Sequence, residues 1–338
     1  MNITTVIDAN EELVQQQLRA SAPSAPLAPA VVVTVYPSGS MASTAAKSRP
    51  ILERLLRAAA PGDLAVCIHD PITGDERALT SMVRDLGLRL WVAWGANPHV
   101  RTARAKGTAA ALDVCARWSA AAHALGAEVV ELNGERSGSG NPDDWVIDAP
   151  GDAALLPALA ASLIATARES APGARVSWTS HDHPKWHRLP WKAILGPGGC
   201  DLHAPQLYAA DTRSDAPEGH REAAARIASA SAQWRALVDV GEVRADLGPD
   251  GRGWTAYGQI HGLTTAGAAV VLDSSDTTRA WAIPERHDEA GLRALEAVLT
   301  ARRLYGRSAG AIRRAQAARG LAVDGVCGAA TLAALGLT

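Results

Sequence analysis

The run VVELNGERSGSGN, residues 129–141, carries two glutamates and an asparagine at alternate positions: Glu131, Asn133 and Glu135. Alternate residues of a β-strand lie on one face of the sheet, so we expect the three side chains to point the same way. A carboxyl group buried beside a second carboxyl holds its proton to a higher pH, as a general acid must. Glu135, the last of the three, is therefore the candidate general acid, with Glu131 as its support. A solvated loop that begins at Glu135 is the simpler alternative.

Proton donation of this kind cleaves glycosidic bonds, provided that a second group stabilises the positive charge that develops on the sugar. Asp70 ends one predicted strand and Asp182 follows another, so either carboxylate could face Glu135. Neither is required if the N-acetyl carbonyl of the substrate acts as the nucleophile. In that version Asn133 and Tyr208 would hold the acetamido group. The sequence leaves both versions open.

The stretch SHDHPKWH, residues 180–187, offers a different chemistry, because His181, Asp182, His183 and His187 could bind zinc for amide hydrolysis. A His-x-His pair on a strand places both rings on one face. No further ligand pair with a recognisable spacing occurs in the chain, and polar loop residues are the simpler interpretation. We therefore expect no metal and no other cofactor, and keep zinc-dependent amide hydrolysis as an alternative.

Other polar and aromatic side chains fall at or near the ends of predicted strands, where they could bind a substrate: His69, His203, Gln206, Gln259, His261, Trp94 and Trp281. The chain has ten Trp and no Phe. An indole ring stacks on the apolar face of a sugar but also serves as core filler. Trp281, near the end of the last predicted strand, is the best candidate for stacking, and Trp94 is assigned to the same saccharide groove.

Eight apolar runs predict β-strands, at residues 31–38, 63–70, 89–95, 127–135, 175–181, 200–208, 254–261 and 278–284. Runs rich in Ala, Leu and Arg between them predict helices. Strands that are apolar throughout and alternate with helices are typical of a parallel (β/α)8 barrel, the TIM barrel, here over residues 31–305. Catalytic groups of that fold lie at the carboxyl ends of the strands, which again selects Glu135. An open doubly wound sheet is the competing α/β architecture.

The two ends of the chain differ from this pattern. Residues 306–338 predict a small α-helical unit, because Ile312, Ala315 and Gln316 share one helical face and a second apolar helix follows. Residues 1–30 form an N-terminal extension without the basic start and apolar run of a signal peptide. We therefore expect synthesis in the cytoplasm and release by another agent. The net charge of -2 and the lack of a long apolar run predict neither a nucleic-acid partner nor a membrane span.

The C-terminal run RAQAARGLAVDGVCGAATLAALG resembles the repeat of the peptidoglycan-binding domain family. The positions that match in order and spacing are Gln316, Leu321, Val323, Asp324, Gly325, Gly328, Thr331 and Leu335. Ala315 stands in place of the usual Leu and Cys327 in place of the usual aromatic residue, and the closing helix of the repeat has no counterpart. The resemblance implies that peptidoglycan is the partner of this chain.

The predicted barrel resembles glycoside hydrolases of family 18 and, less closely, the phage-type lysozymes of family 25. In family 18 the fourth strand ends in acid-x-acid-x-Glu, the sixth presents a polar residue two positions before Tyr, and the eighth ends near a Trp. The matching positions in this chain are Glu131, Asn133, Glu135, Gln206, Tyr208 and Trp281. Asn133 departs from the acid that the pattern has in the middle of the fourth strand.

Together the two resemblances imply a hydrolase of the peptidoglycan glycan strand, a muramidase or a glucosaminidase, with Glu135 as the acid. The absence of an export signal resembles phage endolysins and the lysins of phage tails or injection particles, which other proteins release. Two alternatives belong to other classes. One is a barrel that binds glycan without cleaving it, and the other is a zinc-dependent amidase that uses His181 and His183.

Overall fold

The structure is a computed structural model that describes residues 29, 31–35, 40–69, 77–134, 145, 151–181, 183–184, 189–207, 217–256, 278–283, 289–306 and 310–337. Side chains are described in these ranges except at residues 217–224, 278–283 and 290.

Seven parallel strands form one sheet: β1 Val31–Val35, β2 Leu64–His69, β3 Arg89–Gly95, β4 Val129–Asn133, β5 Arg175–His181, β6 Leu202–Gln206 and β7 Thr278–Ile283. Their order across the sheet is β6-β5-β4-β3-β2-β1-β7. From β2 to β6 each strand pairs with its predecessor in the chain, and β7 pairs with β1. Each of the seven lies within a predicted strand.

This strand order decides between the two predicted architectures. A doubly wound sheet reverses its order at a switch point and carries helices on both faces. The present sheet has no reversal, and its two faces differ. One face, with Val33, Val66 and Val92, belongs to a large cluster that includes the helices, whereas the other face forms a small cluster with Val32, Ala65 and Trp91. The sheet is therefore curled like part of a barrel wall, with the small cluster inside.

The predicted strand at 254–261 is described only at its start. Trp254 forms an isolated parallel bridge with His203 of β6, and the Thr255 amide donates to the His203 carbonyl at 2.8 Å. Residues 257–277, which would have to pair with β7 to close the sheet, lie outside the described ranges. The described part thus shows seven strands and one bridge in the neighbour order of a (β/α)8 barrel, and closure stays a prediction.

Helices connect and follow the strands: α1 Met41–Ala58, α2 Arg77–Asp85, α3 Asn97–Lys106, α4 Thr108–Ala124, α5 Asp152–Ser170, α6 Trp191–Leu195, α7 Pro217–Asp239, α8 Glu289–Tyr305, α9 Ala311–Ala318 and α10 Ala329–Ala334. They bury one apolar stripe against the sheet, as α2 does with Leu79, Met82 and Val83. Ser40 caps α1, because its hydroxyl oxygen accepts from the Ser43 amide at 3.1 Å. None of the described helices is long and apolar enough to cross a membrane.

Arg54 joins α1 to α8. Its guanidinium donates to both carboxylate oxygens of Glu289 at 2.8 Å and to those of Glu296 at 2.8 and 2.7 Å. The bond from Arg54 lowers the pKa of Glu289 to about 2. Since Glu289 and Glu296 belong to α8, this cluster links the two ends of the barrel segment.

The C-terminal unit of α9 and α10 packs against α8. Arg314 of α9 donates to the Tyr305 carbonyl at 3.0 Å, and Arg319 donates to the Tyr305 hydroxyl at 3.0 Å. Ile312, Ala315 and Gln316 are buried, as their shared helical face predicts. Gly320, with a φ of 64°, follows α9 in the left-handed region that favours glycine.

The residues that resemble the peptidoglycan-binding repeat have a structural role in this unit. The Gln316 side-chain amide donates to Asp324 Oδ1 at 2.7 Å, to the Val326 carbonyl and to Thr331 Oγ1, and its oxygen accepts from the Gly325 amide at 2.9 Å. Gly325 has a φ of 76°. The motif Val-Asp-Gly therefore forms a turn that a buried glutamine holds in place.

Candidate active site

The face that each strand side chain takes follows from the two apolar clusters. Residues of the small inner cluster, such as Ala93, Val129 and Leu202, alternate with residues of the outer cluster, such as Leu132 and Trp178. By this alternation five polar side chains near the carboxyl ends of β2, β4, β5 and β6 lie on the inner face. We call them the inner polar cluster: His69, Asn133, Thr179, His181 and Gln206.

Glu131 lies one inner position below Asn133, with a side chain that is fully buried. It is in register with Ala93 of β3 and with Ser177 of β5, and the Ser177 hydroxyl donates to its Oε2 at 3.0 Å. The predicted support of the general acid is thus a carboxylate held beneath the end of the strand.

Asn133 contacts His69 across the intervening strand. The Asn133 side-chain nitrogen donates to His69 Nε2 at 3.4 Å. Between them β3 presents only Ala93 and Gly95, which leave room for the two longer side chains. Asn133 Oδ1 is buried and has no hydrogen-bond partner among the described residues. The contact with His69 therefore orients the amide so that its oxygen faces away.

Thr179 was not a candidate in the sequence, yet it lies directly beside Asn133. The two residues are Cα partners on β4 and β5, and both belong to the inner face. The Thr179 hydroxyl is buried and likewise finds no partner in the part of the chain that the structure describes. The alternation Ser177, Thr179, His181 in the run RVSWTSH is the signal that could have found it.

The end of β4 is fixed by an aromatic pair. The Gly134 amide donates to the Thr179 carbonyl at 3.2 Å, and a Cβ on Gly134 would overlap the indole of Trp178. Trp178 in turn packs edge-on against Trp145, with ring centroids 5.0 Å apart. Only glycine fits at this position, and it directly precedes the predicted acid Glu135.

His181 and Gln206 end β5 and β6 in register with one another. Gln206 is buried, and His181 is partly exposed. His183, two residues later, is buried as well. Among the described residues no group of three His, Cys, Asp or Glu side chains could hold a metal ion. Asp182 and His187, which the zinc hypothesis also requires, lie outside those residues.

Two predicted pocket residues face the helices instead of the barrel interior. Trp94 is 1% exposed and packs edge-on against Trp118 of α4 at 5.7 Å, so the prediction that it stacks on a sugar is wrong for this arrangement. His203 is fully buried between Trp234 and Trp254. Both orientations follow from strand alternation, because Ala93 and Leu202, the preceding residues, face inward.

His203 is a neutral core residue. Burial lowers the pKa of His203 to about 3. Its Nδ1 contacts the Leu247 carbonyl at 3.2 Å, and its Nε2 contacts the Ser180 hydroxyl at 2.9 Å. The carbonyl can only accept, so the Nδ1 proton donates to it and Nε2 accepts from Ser180. The side chain thus joins β6, β5 and the loop after α7.

Most of the remaining site predictions fall on residues that the structure does not describe: Glu135, Asp70, Asp182, Tyr208, Gln259 and His261. Trp281 belongs to β7, but its side chain is not described. Asp70 directly follows His69, and Glu135 directly follows Gly134. These assignments stay predictions.

A cavity of about 410 Å³ lies at the opposite end of the strands. Arg89 and Leu90 at the start of β3, Glu128 before β4, and residues of α2 and α4 line it. The Arg89 guanidinium donates to Glu128 at 2.6 Å. Catalytic groups of parallel barrels lie at the carboxyl ends of the strands, so this cavity is not part of the candidate site.

Comparison with known families supports the reading of the C-terminal unit. Residues 307–335 match the family model described as "Putative peptidoglycan binding domain". A sequence search of curated proteins finds no match.

Solved structures resemble the larger part of the chain in fold. A GH5_18 enzyme from Streptomyces cattleya, in complex with Manβ1-4GlcNAc, aligns with a TM-score of 0.51 and 14% identity over 92% of this chain and 98% of that one. A β-galactosidase from the psychrophilic Marinomonas ef1 aligns with a TM-score of 0.51 and 8% identity over 87% of this chain and 61% of that one.

A GH18 chitinase from Pseudoalteromonas aurantia aligns less well, with a TM-score of 0.44 and 12% identity over 79% of this chain and 99% of that one. That similarity is too low to support the family 18 resemblance. The similarities at 0.51 concern the fold alone, since the identities are low. The chain therefore combines an α/β sheet like that of glycosidase barrels with a C-terminal peptidoglycan-binding-type segment.

Proposed function

We propose that this protein hydrolyses the glycan strand of peptidoglycan, as a muramidase or a glucosaminidase, at the carboxyl end of its parallel sheet. The observation that carries the proposal is the inner polar cluster, with Asn133 held by His69 at the carboxyl end of β4. A glycosidase needs polar groups that orient sugar hydroxyl and amide groups around the bond to be cleaved. The fold and the C-terminal segment agree with a glycan substrate.

In the proposed mechanism Glu135 donates a proton to the leaving oxygen. The contact between Gly134 and Trp178 restricts the chain where it leaves β4, directly before Glu135 in the sequence. The developing positive charge on the sugar is stabilised by the substrate N-acetyl carbonyl or by a carboxylate, for which Asp70 and Asp182 are the candidates. Gln206, Tyr208, Gln259, His261 and Trp281 complete the proposed groove.

The C-terminal unit would hold the protein on its polymeric substrate. Because the buried Gln316 and its partners shape the turn, contact with peptidoglycan would come from the exposed surface around Val323. We also propose that another agent releases the protein to the cell wall, as for phage endolysins or injection-particle lysins. In this proposal the C-terminal unit binds the same peptidoglycan that the larger part of the chain cleaves.

A barrel that binds glycan without cleaving it is the second candidate. It is favoured by Asn133, which stands where the family 18 pattern has an acid, and by the complete burial of Glu131. Such a protein would retain the glycan contacts of the inner polar cluster. It would release no product.

The nature of the product distinguishes these candidates. Purified protein incubated with isolated cell walls should release new reducing ends and no free amino groups, with and without a chelator. Free amines that disappear with a chelator would instead identify a zinc amidase. Binding to walls with neither product, across walls of different bacteria, would identify the non-catalytic barrel and contradict the proposal.

A further inference from the structure

We propose that a basic surface beside the C-terminal unit binds a phosphate-bearing linear polymer of the bacterial cell wall. Four arginines form this surface: Arg57 at the end of α1, Arg303 at the end of α8, and Arg314 and Arg319 in and directly after α9. The inference goes beyond the proposed function and rests on it only for the choice of the cell wall as the source of the polymer.

The positive charge of this region is visible in the sequence. Residues 297–323 contain six Arg and neither Asp nor Glu. The segment therefore carries a charge of +6, whereas the whole chain carries -2, so that the other residues together carry -8. A separation of charge of this kind favours a polyanionic partner for the basic part.

Direct contacts bring the arginines of the basic surface together. Arg303 Nη1 donates to the Arg57 carbonyl at 3.1 Å. Arg314 Nε donates to the Tyr305 carbonyl and Arg319 Nε donates to the Tyr305 hydroxyl, both at 3.0 Å. Because Tyr305 lies two residues after Arg303 on the same helix, arginines from three helices meet in one region.

The hydrogen bonds of Arg303 and Arg319 do not neutralise their charge, because a carbonyl or hydroxyl oxygen carries no formal charge. In the part of the chain that the structure describes, Arg57, Arg303 and Arg319 form no ion pair. Exposed arginines elsewhere pair with carboxylates, as Arg235 does with Asp250 at 2.7 Å. The basic surface therefore keeps positive charge that an external anion can neutralise.

The arrangement of the four arginines fits a polymer better than a small anion. All four are exposed or partly exposed, and a guanidinium group donates paired hydrogen bonds to phosphate oxygens. Water and salt screen each exposed contact, so one small anion would be held weakly. A chain that repeats its phosphate group can contact several of the arginines at once, which raises its affinity.

The location of the basic surface favours a polymer of the cell wall among the possible polyanions. Residues 307–335 match the peptidoglycan binding family, and Val323, the proposed contact with peptidoglycan, lies four residues after Arg319. A phosphate polymer that is attached to peptidoglycan would thus be within reach of the basic surface. Lipid and nucleic acid are then outcomes that the test separates.

The test compares binding of the full chain to walls of one Gram-positive bacterium before and after extraction with hydrofluoric acid. This treatment removes phosphodiester-linked polymers and leaves the peptidoglycan. In sedimentation assays on ice, wild type should bind untreated walls about 10- to 100-fold more tightly than extracted walls at about 50 mM salt. The difference should largely disappear at about 0.5 M salt.

The variant that tests the surface replaces its three arginines that lack ion pairs among the described residues: Arg57→Gln, Arg303→Gln and Arg319→Gln combined. Its affinity for untreated walls should fall to that for extracted walls, a loss of about 10- to 100-fold at low salt. The matched control removes three exposed arginines that pair with carboxylates: Arg117→Gln, Arg235→Gln and Arg293→Gln combined. It loses the same net charge and should keep its preference for untreated walls.

Equal binding of untreated and extracted walls by wild type would overturn the inference, and so would equal losses in the two triple variants. Arg57 and Arg303 could serve only the carboxyl ends of their helices. In that case the first variant would unfold at a lower temperature and bind walls as wild type does, which would also overturn it.

Two further probes test the identity of the polyanion: vesicles of phosphatidylglycerol and double-stranded DNA. Wild type should bind poly(glycerol phosphate) more tightly than either, and tighter binding to one of them would overturn the choice of a wall polymer. The proposed function is tested separately by the release of reducing ends from extracted walls, because these walls retain the glycan. Either result there leaves the comparison of walls decisive for the basic surface.

Discussion

At the residue scale, the central feature is the carboxylate of Glu131, which is shielded from solvent. Glu131 is fully buried on the inner face of β4, and Ser177 donates a hydrogen bond to it. Burying a carboxylate is costly unless hydrogen bonds compensate for its lost hydration. The bond from Ser177 supplies such compensation on the strand that carries Asn133.

Ser177→Ala should destabilise the protein by about 1–3 kcal/mol, because the Glu131 carboxylate loses a donor that water cannot replace. The measurement is the free energy of unfolding in urea. Ser48→Ala is the control, since Ser48 is equally buried but its hydroxyl has no partner in the described part of the chain. Equal losses in the two variants would contradict the role of the bond to Glu131.

His203 predicts a dependence of stability on pH. Its pKa of about 3 in the folded protein is below the ordinary value of 6.5, so only the unfolded chain takes up a proton between these two values. Its contribution is complete above pH 6.5 and is lost as the pH falls toward 3. Buried His99, whose pKa burial lowers to about 4, contributes in the same direction.

His203→Gln keeps a donor for Leu247 and an acceptor for Ser180 but cannot titrate. Its free energy of unfolding should therefore fall less steeply with acid than that of wild type, by about 1.4 kcal/mol per pH unit below pH 6. Urea unfolding between pH 7 and pH 4 measures both slopes. Identical slopes would show that His203 is not a neutral core residue.

At the scale of elements, the predicted acid depends on how β4 ends. A Cβ on Gly134 would overlap the Trp178 indole, so Gly134→Ala should displace the strand end and cost about 1–3 kcal/mol. Gly151→Ala, at the start of α5, has open space around it among the described residues and should change stability by less than about 0.5 kcal/mol. Thermal unfolding compares the two. A neutral Gly134→Ala would mean that Trp178 does not fix this position.

The positions of the strands could be predicted from the sequence, but the direction of their side chains could not. Apolar runs buried on both faces locate a strand and say little about which residue faces inward. In RLWVAWG the structure turns Trp91 inward and Trp94 toward α4. The sequence also assigned His203 to the pocket, because it does not show which alternate residues of β6 face inward.

Thr179 was missed for a related reason. Its importance comes from being the Cα partner of Asn133, and the register between two strands is set by packing of the whole sheet. The shared face of Glu131 and Asn133 needed no such information, because both residues lie within one strand. Contacts within an element are thus visible in the sequence, and contacts between elements are not.

At the scale of the whole molecule, Arg54 connects α1 to α8 through Glu289 and Glu296. Arg54→Ala should lower the free energy of unfolding by about 1–2 kcal/mol, a modest value because Glu289 is half exposed. The effect should be present at pH 7 and shrink as the pH falls below the ordinary Glu value toward 2, since the pKa of Glu289 is lowered to about 2.

The control is Arg117→Ala, which removes an exposed pair with Asp113 within one helix. That change should cost no more than about 0.5 kcal/mol. Urea unfolding at pH 7 and pH 3 gives both values. A loss at Arg54 as small as that at Arg117 would mean that the two helices are joined by apolar packing alone.

The central claim is that glycan cleavage occurs at the carboxyl end of β4, and one measurement tests it most directly. The rate at which reducing ends appear from isolated cell walls is compared for wild type, Glu135→Gln and Glu169→Gln, the last an exposed position on α5. Glu135→Gln should lower the rate at least 100-fold without loss of folding, as removal of a general acid does, and Glu169→Gln should not change it. Full activity of Glu135→Gln would contradict the claim.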